Sequence, residues 1–452
     1  MSGLPTNGIT GHCRLCSAGL RHTFVDLGMS PLCENFLSNE QLDHPEPFYP
    51  LHALVCEQCL LVQLSEYVSP GQIFSEYAYF SSYSDSWLRH AQRYVGMISE
   101  RLKLGRDSLV VELASNDGYL LQYFVQQSIP VLGIDPAANV AKVAAARGVP
   151  TLVRFFGRET ARELVSQGKQ ADLLLGNNVL AHVPDLNDFV AGIKILLKPG
   201  GVITMEFPHL QRLIEGNQFD TIYHEHFSYF SFLSAENAFA RHGFTIFDVE
   251  ELPTHGGSLR VYVRHAEDHS KPVLSSVPAL RSREKRLGYD RLDTYRAFDE
   301  KVQDTKRKLL EFLISARKAR KSVAAYGAPG KGNTLLNYCG IRTDFIEYTV
   351  DRNPYKHGKF LPGTHIPVFP PEHIRETKPD YVLILPWNLK SEIVAQLSYI
   401  AEWGGRCVVP IPEVEVIKWS GEDNRFAKTL DLEHRALLGG RETPQITLVP
   451  LE

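Results

Sequence analysis

Between Thr221 and Phe230 the chain reads Thr-Ile-Tyr-His-Glu-His-Phe-Ser-Tyr-Phe, placing two imidazoles, a carboxylate and two phenols within ten residues. Acid/base groups at this density, interleaved with rings able to exclude water, suit removal of a proton from a weak carbon acid. His224 and His226 lack the H-E-x-x-H spacing that turns two imidazoles toward one zinc ion, which argues against a metalloprotease.

A second chemistry-bearing pattern lies far upstream. Of seven cysteines, four fall in two Cys-x-x-Cys pairs, Cys13/Cys16 and Cys56/Cys59. Such pairs read as two knuckles around one tetrahedral Zn2+. Four thiolates leave no position for substrate, so this metal is expected to be structural, and the segment between the pairs must carry structure of its own. Cys33, Cys339 and Cys407 are expected to be buried small hydrophobes.

The elements that position these groups follow from periodicity. Residues 1–75 are turn-rich with short extended pieces, as in a small domain held by zinc. The aromatic run Phe74 to Tyr83, which includes Tyr77, Phe80 and Ser82, suits either packing between domains or a lid. A helix is expected over 84–104, from the spacing of Trp87, Leu88, Ala91, Val95, Ile98 and Leu102. From Ser108 the pattern becomes strand, turn, helix, repeated, which predicts a mostly parallel sheet covered on both faces. The strand ending at Glu112 enters the turn Leu113-Ala-Ser-Asn-Asp-Gly118, and the next strand ends at Asp135, where an acid suits both ribose hydroxyls of an adenosine cofactor.

NAD and S-adenosylmethionine proteins share that arrangement. Here the first turn lacks G-x-G-x-x-G, so close approach to a pyrophosphate is poorly provided for. Glu112 is placed to take up the ammonium of a methionine moiety. Leu197-Lys-Pro-Gly-Gly-Val-Ile-Thr204 resembles the turn before the fifth strand of class I S-adenosylmethionine-dependent methyltransferases. Glu112, Asn116, Gly118, Asp135 and Asn177, with Ser82 ahead of the domain, are the expected cofactor contacts. Phe244–Val249 and Ser258–Val263 are expected to pair antiparallel around the loop Thr254-His-Gly-Gly257.

Residues 285–320 read as one long charged helix with an apolar stripe at Tyr295, Phe298, Val302, Leu309 and Leu313. A second α/β unit begins at Ser322, and its turn Ala328-Pro-Gly-Lys-Gly-Asn-Thr334 resembles a phosphate-cradling helix start. The P-loop pattern is not met, so ATP hydrolysis is not implied.

Taken in order, the zinc knuckles, Tyr77 to Tyr83, Glu112 to Gly118, Tyr223-His-Glu-His-Phe227 and Tyr326-Gly-Ala-Pro-Gly-Lys-Gly332 resemble the nucleotide-sugar C-methyltransferases. The resemblance implies methylation of a carbon beside the ketone of a nucleotide-linked 4-keto-deoxyhexose, C3 favoured over C5, with dTDP favoured over GDP. It implies Cys13, Cys16, Cys56 and Cys59 as zinc ligands, and Tyr77, His182, Tyr223, Glu225 and His226 as active-site residues. A C–H beside a ketone is acidic because its carbanion delocalises to an enolate, so a base is needed at carbon and donors at oxygen. His226 is the expected base, with Glu225 orienting it or acting itself; Tyr223, Tyr77 and His182 are candidates for the enolate oxygen. Lys331, Asn333, Tyr223 and Phe80 are the expected substrate contacts.

The expected architecture is therefore α/β: a zinc-binding domain over 1–75, a class I methyltransferase Rossmann-like domain over 76–270, a helical linker over 271–320, a second Rossmann-like domain over 321–412, and a tail over 413–452. The expected cofactors are S-adenosylmethionine and one structural zinc. The alternative is a methyltransferase of nucleic acid with a zinc reader. A formal charge of -4 with no basic stripe weighs against it. Hydrophobic residues at 44% and charged residues at 22% are ordinary for a globular enzyme. The chain holds no long apolar run and begins with no apolar leader, so a cytoplasmic monomer without membrane or nucleic-acid partners is expected.

Overall fold

The computed structural model describes residues 11–69, 71 and 80–417. Alternating strand and helix patterns build a seven-stranded sheet in the spatial order Phe244–Leu252, Ser258–His265, Leu197–Pro208, Ala171–Asn177, Val110–Leu113, Val131–Asp135, Thr151–Val153. The last five are parallel, and Ser258–His265 runs antiparallel to both neighbours. The final strand in sequence thus slots between its two predecessors. From Val110–Leu113 the chain departs to either side, toward Val131–Asp135 and then Ala171–Asn177, which opens a crevice at the strands' carboxyl ends. Val110, Val111, Leu173, Leu174 and Leu175 are buried because helices cover both faces. One such helix, Asp85–Leu102, is capped by Ser84, whose side chain accepts from Trp87 N, and buries Trp87, Ala91, Tyr94, Val95 and Ile98.

The segment between the cysteine pairs folds as strands His22–Ser30 and Tyr49–Val55, joined by Val62–Leu64 in an antiparallel sheet. The fourth strand of that sheet, Ser228–Tyr229, comes from beyond the acid/base cluster, with Ser228 opposite Gln63 and Tyr229 opposite Val62. The C-terminal sheet has the order Val368–Phe369, Thr349–Val350, Val323–Tyr326, Tyr381–Ile384, Arg406–Val409, Glu415–Val416, parallel except for its last strand.

The single helix expected over 285–320 is broken. Helices Ser276–Arg286, Leu292–Arg296 and Phe298–Lys318 replace it, because Gly288 turns into the left-handed region at φ 85° and Arg291 is extended. The stripe Tyr295, Phe298, Val302, Leu309 and Leu313 is buried as expected. Its partner is the zinc-binding sheet: Phe24 stacks on Phe298 at 4.7 Å, and Phe24, Val25 and Leu51 share one core with Leu335 and Leu336 of the C-terminal lobe. Among the described residues no helix is long and apolar enough to cross a membrane.

Candidate active site

A cleft of about 2090 Å³ is lined by residues of the seven-stranded sheet, the C-terminal lobe and the zinc-binding segment. Sites for one small molecule usually measure roughly 300–1,000 Å³, so two substrates fit side by side.

At its centre the chain leaves a short 3-10 turn, Phe219–Thr221, and runs through Tyr223 to His226 into strand Ser228–Tyr229. Pairing with the zinc-binding sheet fixes that exit, and Phe227 N donates to the Ala181 carbonyl at 2.7 Å, tying the segment to the turn Leu180–His182. The His226 ring consequently lies 4.7 Å from His182 and 4.0 Å from Tyr223, centroid to centroid. Its Nδ1 donates to the Thr221 carbonyl at 2.9 Å, which leaves Nε2 with the free lone pair. Burial, then the neighbouring His182, push the His226 imidazole well below its ordinary value, so it is neutral at pH 7. Burial likewise lowers His182 to about 4 and raises the Tyr223 phenol far above its ordinary value, so Tyr223 stays a donor. Glu225 accepts from the Cys33 thiol at 3.8 Å. His224 turns the other way and donates from Nε2 to the Pro50 carbonyl at 3.2 Å.

At the end formed by the first strands, Asn116, Asp135, Phe155, Phe156 and Asn177 line the wall. Asn116 N and Ala137 N both donate to the Asp135 carboxylate at 2.9 Å. Where a glycine-rich turn would serve, Ala114 and Asn116 themselves adopt φ 56° and 49°, a strain of the kind that concentrates at functional turns. Glu112 is fully buried, and neither of its oxygens has a hydrogen-bond partner among the described residues. Burial, with Asp135 and Asp117 adding to it, raises that carboxyl well above the usual range. An orphaned acid beside two more acids fits the cationic methionine end of S-adenosylmethionine. Glu112 lies behind the wall rather than in it, as do Gly118, Ser82, Phe80 and Asn333. A Cβ on Gly118 would stand 3.1 Å from Val149 and 3.2 Å from Ala144, so this glycine serves close packing. Ser82 hydrogen-bonds Asp117 and accepts from Arg147 at 2.9 Å. Phe80 packs 5.5 Å from Tyr83, and the Asn333 amide is buried. Tyr77 lies outside the described residues.

At the opposite end are Lys331, Arg352, Tyr355, Trp387 and Asn388. The start of helix Gly330–Cys339, expected to cradle phosphate, already faces a carboxylate: a Cβ on Gly330 would lie 3.3 Å from Glu34 Oε1, and Lys356 Nζ is 3.7 Å from Glu34. Lys331 instead projects along the wall, donating to Asn388 Oδ1 at 2.7 Å with the Trp387 ring 4.8 Å away.

The four thiols of Cys13, Cys16, Cys56 and Cys59 lie within 4.8 Å of one another. Cys13–Cys59 and Cys16–Cys56 sulfurs are 3.4 Å apart, near the roughly 3.8 Å edge of a tetrahedron with Zn–S of about 2.3 Å. Each knuckle closes the same way, Ser17 N on Cys13 O at 2.8 Å and Leu60 N on Cys56 O at 2.9 Å, with Ser17 and Leu60 left-handed. The donor set fits zinc.

Several wall residues escape sequence reasoning. Cys33, expected to be a plain buried hydrophobe, faces Glu225. His255, in the loop Thr254-His-Gly-Gly257, lines the cleft at φ 53° and accepts from Asn178 Nδ2 at 3.0 Å. Phe155 and Phe156 follow Thr151–Val153 after Arg154, and aromatics just past the end of a parallel strand were the available signal.

Three family models match in series: a zinc binding domain over residues 13–74, a methyltransferase domain over 87–249, and a C-methyltransferase C-terminal domain over 253–412. The chain is 38% identical over 406 residues to the C-methyltransferase NovU of Streptomyces niveus, covering 90% of this chain and 96% of that one. It is 28% identical over 95 residues to a ubiquinone biosynthesis O-methyltransferase of Chelativorans sp. (strain BNC1), of which it spans only 38%. Among solved structures, the PH0226 protein of Pyrococcus horikoshii OT3 superposes with a TM-score of 0.34 at 17% identity, over 45% of this chain and 99% of that one.

Proposed function

The chain belongs to the S-adenosylmethionine-dependent C-methyltransferases, and from that premise we propose that its substrate is a nucleotide-linked 4-keto-deoxyhexose, methylated beside the ketone. The observation that carries this is the meeting of His182, Tyr223, Glu225 and a neutral His226 in one cleft with Asp135 of the strand ends and with Lys331, whose charge reaches His226. S-adenosylmethionine supplies an electrophilic methyl group on sulfur. His226 Nε2 takes the proton from C3, or from C5 in the alternative regiochemistry, both of which flank a C4 ketone. Tyr223 donates to the oxygen as it becomes an enolate, at no reorganisation cost because packing already holds it, while the neutral His182 spends its one N–H on the Glu225 carbonyl and so steadies the segment. Glu225, which accepts from the Cys33 thiol, orients His226 or is itself the base. When bound, the cofactor would give its methyl to the deprotonated carbon and leave as S-adenosylhomocysteine, with alignment and exclusion of water as the protein's contribution. The nucleotide diphosphate, dTDP in preference to GDP, occupies the C-terminal end with Lys331 on its phosphates.

Proton exchange tests this. The enzyme is incubated in deuterium oxide with S-adenosylhomocysteine and dTDP-4-keto-6-deoxyglucose, its GDP counterpart and related keto sugars, and C3–H and C5–H are followed by NMR. Enzyme-dependent washout at one carbon is expected and identifies the methylated position. Absence of washout together with absence of methyl transfer across both nucleotide series would overturn the substrate class.

A further inference from the structure

Thr221 is gripped on both sides by the C-terminal lobe. The residue before it, Asp220, is fully buried and accepts at Oδ2 from Trp387 Nε1, 2.7 Å away. The residue after it, Ile222, offers its carbonyl to Thr334 Oγ1 at 3.1 Å. Between the two grips, the Thr221 carbonyl is the acceptor that holds His226 Nδ1. The 3-10 turn carrying these residues is three residues long and has no side-chain cap of its own, so its orientation depends on outside contacts.

The two gripping residues flank the place where strand order in the C-terminal sheet reverses. Thr334 lies on helix Gly330–Cys339, which follows Val323–Tyr326, and Trp387 follows Tyr381–Ile384. Such a reversal is where an open α/β sheet receives its ligand. Lys331 precedes Thr334 by one helical turn and packs over Trp387. Packing alone does not call for a carboxylate at Asp220: burial of an acid is unfavourable, its Oδ1 has no partner among the described residues, and burial raises it to about 7 against the pull of Lys331 and Trp387.

We propose that Trp387 and Thr334 are positioning residues for proton abstraction: by holding Asp220 and Ile222 they fix the Thr221 carbonyl, which sets the tautomer of His226. The lobe assigned to the nucleotide thereby governs whether the base presents Nε2. An imidazole that loses its Nδ1 acceptor populates both tautomers, and only one offers the lone pair to the cleft. This rests on the proposed role of His226 as base.

Two conservative variants test it. Trp387→Phe keeps an aromatic ring under Lys331 and removes the N–H; Thr334→Val keeps the shape and removes the hydroxyl. Imidazole nitrogen shifts are read in 15N-histidine protein, His226 being assigned by comparison with His226→Asn, alongside washout kinetics. In the parent enzyme His226 is expected as one tautomer protonated at Nδ1. In the double variant the shifts should move toward a tautomer average, and washout kcat should fall by about tenfold to a hundredfold, within the range ascribed to a positioned base, with KM changed less than about twofold. Unchanged His226 shifts in the double variant would overturn the clamp. So would a raised KM at constant kcat, which would make these side chains substrate contacts. A parent enzyme without washout would count against the keto-sugar assignment, and the tautomer shift would still decide the clamp.

Discussion

The Arg14 guanidinium lies over the Phe227 ring, 5.5 Å from its centroid, although Arg14 sits inside the first cysteine knuckle and Phe227 directly follows His226. Arg14 also donates to the Pro184 carbonyl at 2.8 Å, two residues beyond His182, and to the Leu64 carbonyl. Gln63, on the strand that pairs with Ser228–Tyr229, donates to Cys13 Sγ at 3.2 Å. The zinc knuckle therefore braces both histidine-bearing segments. Second-layer contacts of this kind orient groups that they never touch.

Arg14→Gln is expected to retain one zinc per chain, measured by mass spectrometry of the metal, while washout kcat falls about tenfold, as loss of a partly buried cation–π contact and its hydrogen bonds implies. Cys56→Ser should lose both the metal and the activity. Full activity in Arg14→Gln would mean that the brace has no bearing on the site.

Replacing Glu112, whose carboxyl burial raises well above the usual range, separates binding from stability. Glu112→Gln takes away a buried, unpartnered carboxylate, so thermal unfolding should shift upward by a few degrees. Affinity for S-adenosylmethionine, read by calorimetry, should weaken about tenfold, since the acid acts on the ligand's positive charge from behind the wall. Unchanged affinity would remove Glu112 from the cofactor's surroundings.

The double variant His226→Asn, Glu225→Gln should lose washout by at least about a hundredfold, the usual scale for general-base loss. Its affinity for S-adenosylhomocysteine should stay within about twofold, since the residues proposed to contact the cofactor, Asn116, Asp135 and Asn177, are unchanged. Loss of cofactor binding in that variant would count against a catalytic role for the pair.

Acid should destabilise the fold in a defined window. Burial holds His182 and His255 at about 4 in the folded chain, with Lys331 adding to the effect at His255, against about 6.5 unfolded. Between those values the unfolded chain binds protons that the native one does not, so stability present above pH 6.5 is lost as pH falls toward 4. Urea midpoints measured from pH 7 to pH 4.5 should fall less steeply in His255→Asn than in the parent. Equal slopes would show that His255 titrates normally.

The local patterns were legible from spacing. Two Cys-x-x-Cys pairs, strand-end acids at Glu112 and Asp135, the segment Tyr223 to His226 and the helix near 85–102 each depend on residues close in the chain, where periodicity and ligand geometry act directly. A single glycine also decided the one expected long helix, since Gly288 at φ 85° ends it; an isolated glycine in a helical pattern is often tolerated, so its effect was not readable in advance.

Sequence alone determined the parts list: the α/β class, four zinc-ligating thiols, an adenosine-cofactor sheet and an acid/base segment. Tertiary structure decided which parts meet. Cys33 reaches Glu225, Trp387 reaches Asp220, and Arg14 reaches Phe227 across separations of 192, 167 and more than two hundred residues. Apolar burial drives such encounters and is indifferent to sequence distance. The shared core of Phe24, Phe298 and Leu335 brings the zinc-binding sheet against the C-terminal lobe, and with it the side chains proposed to set the tautomer of His226.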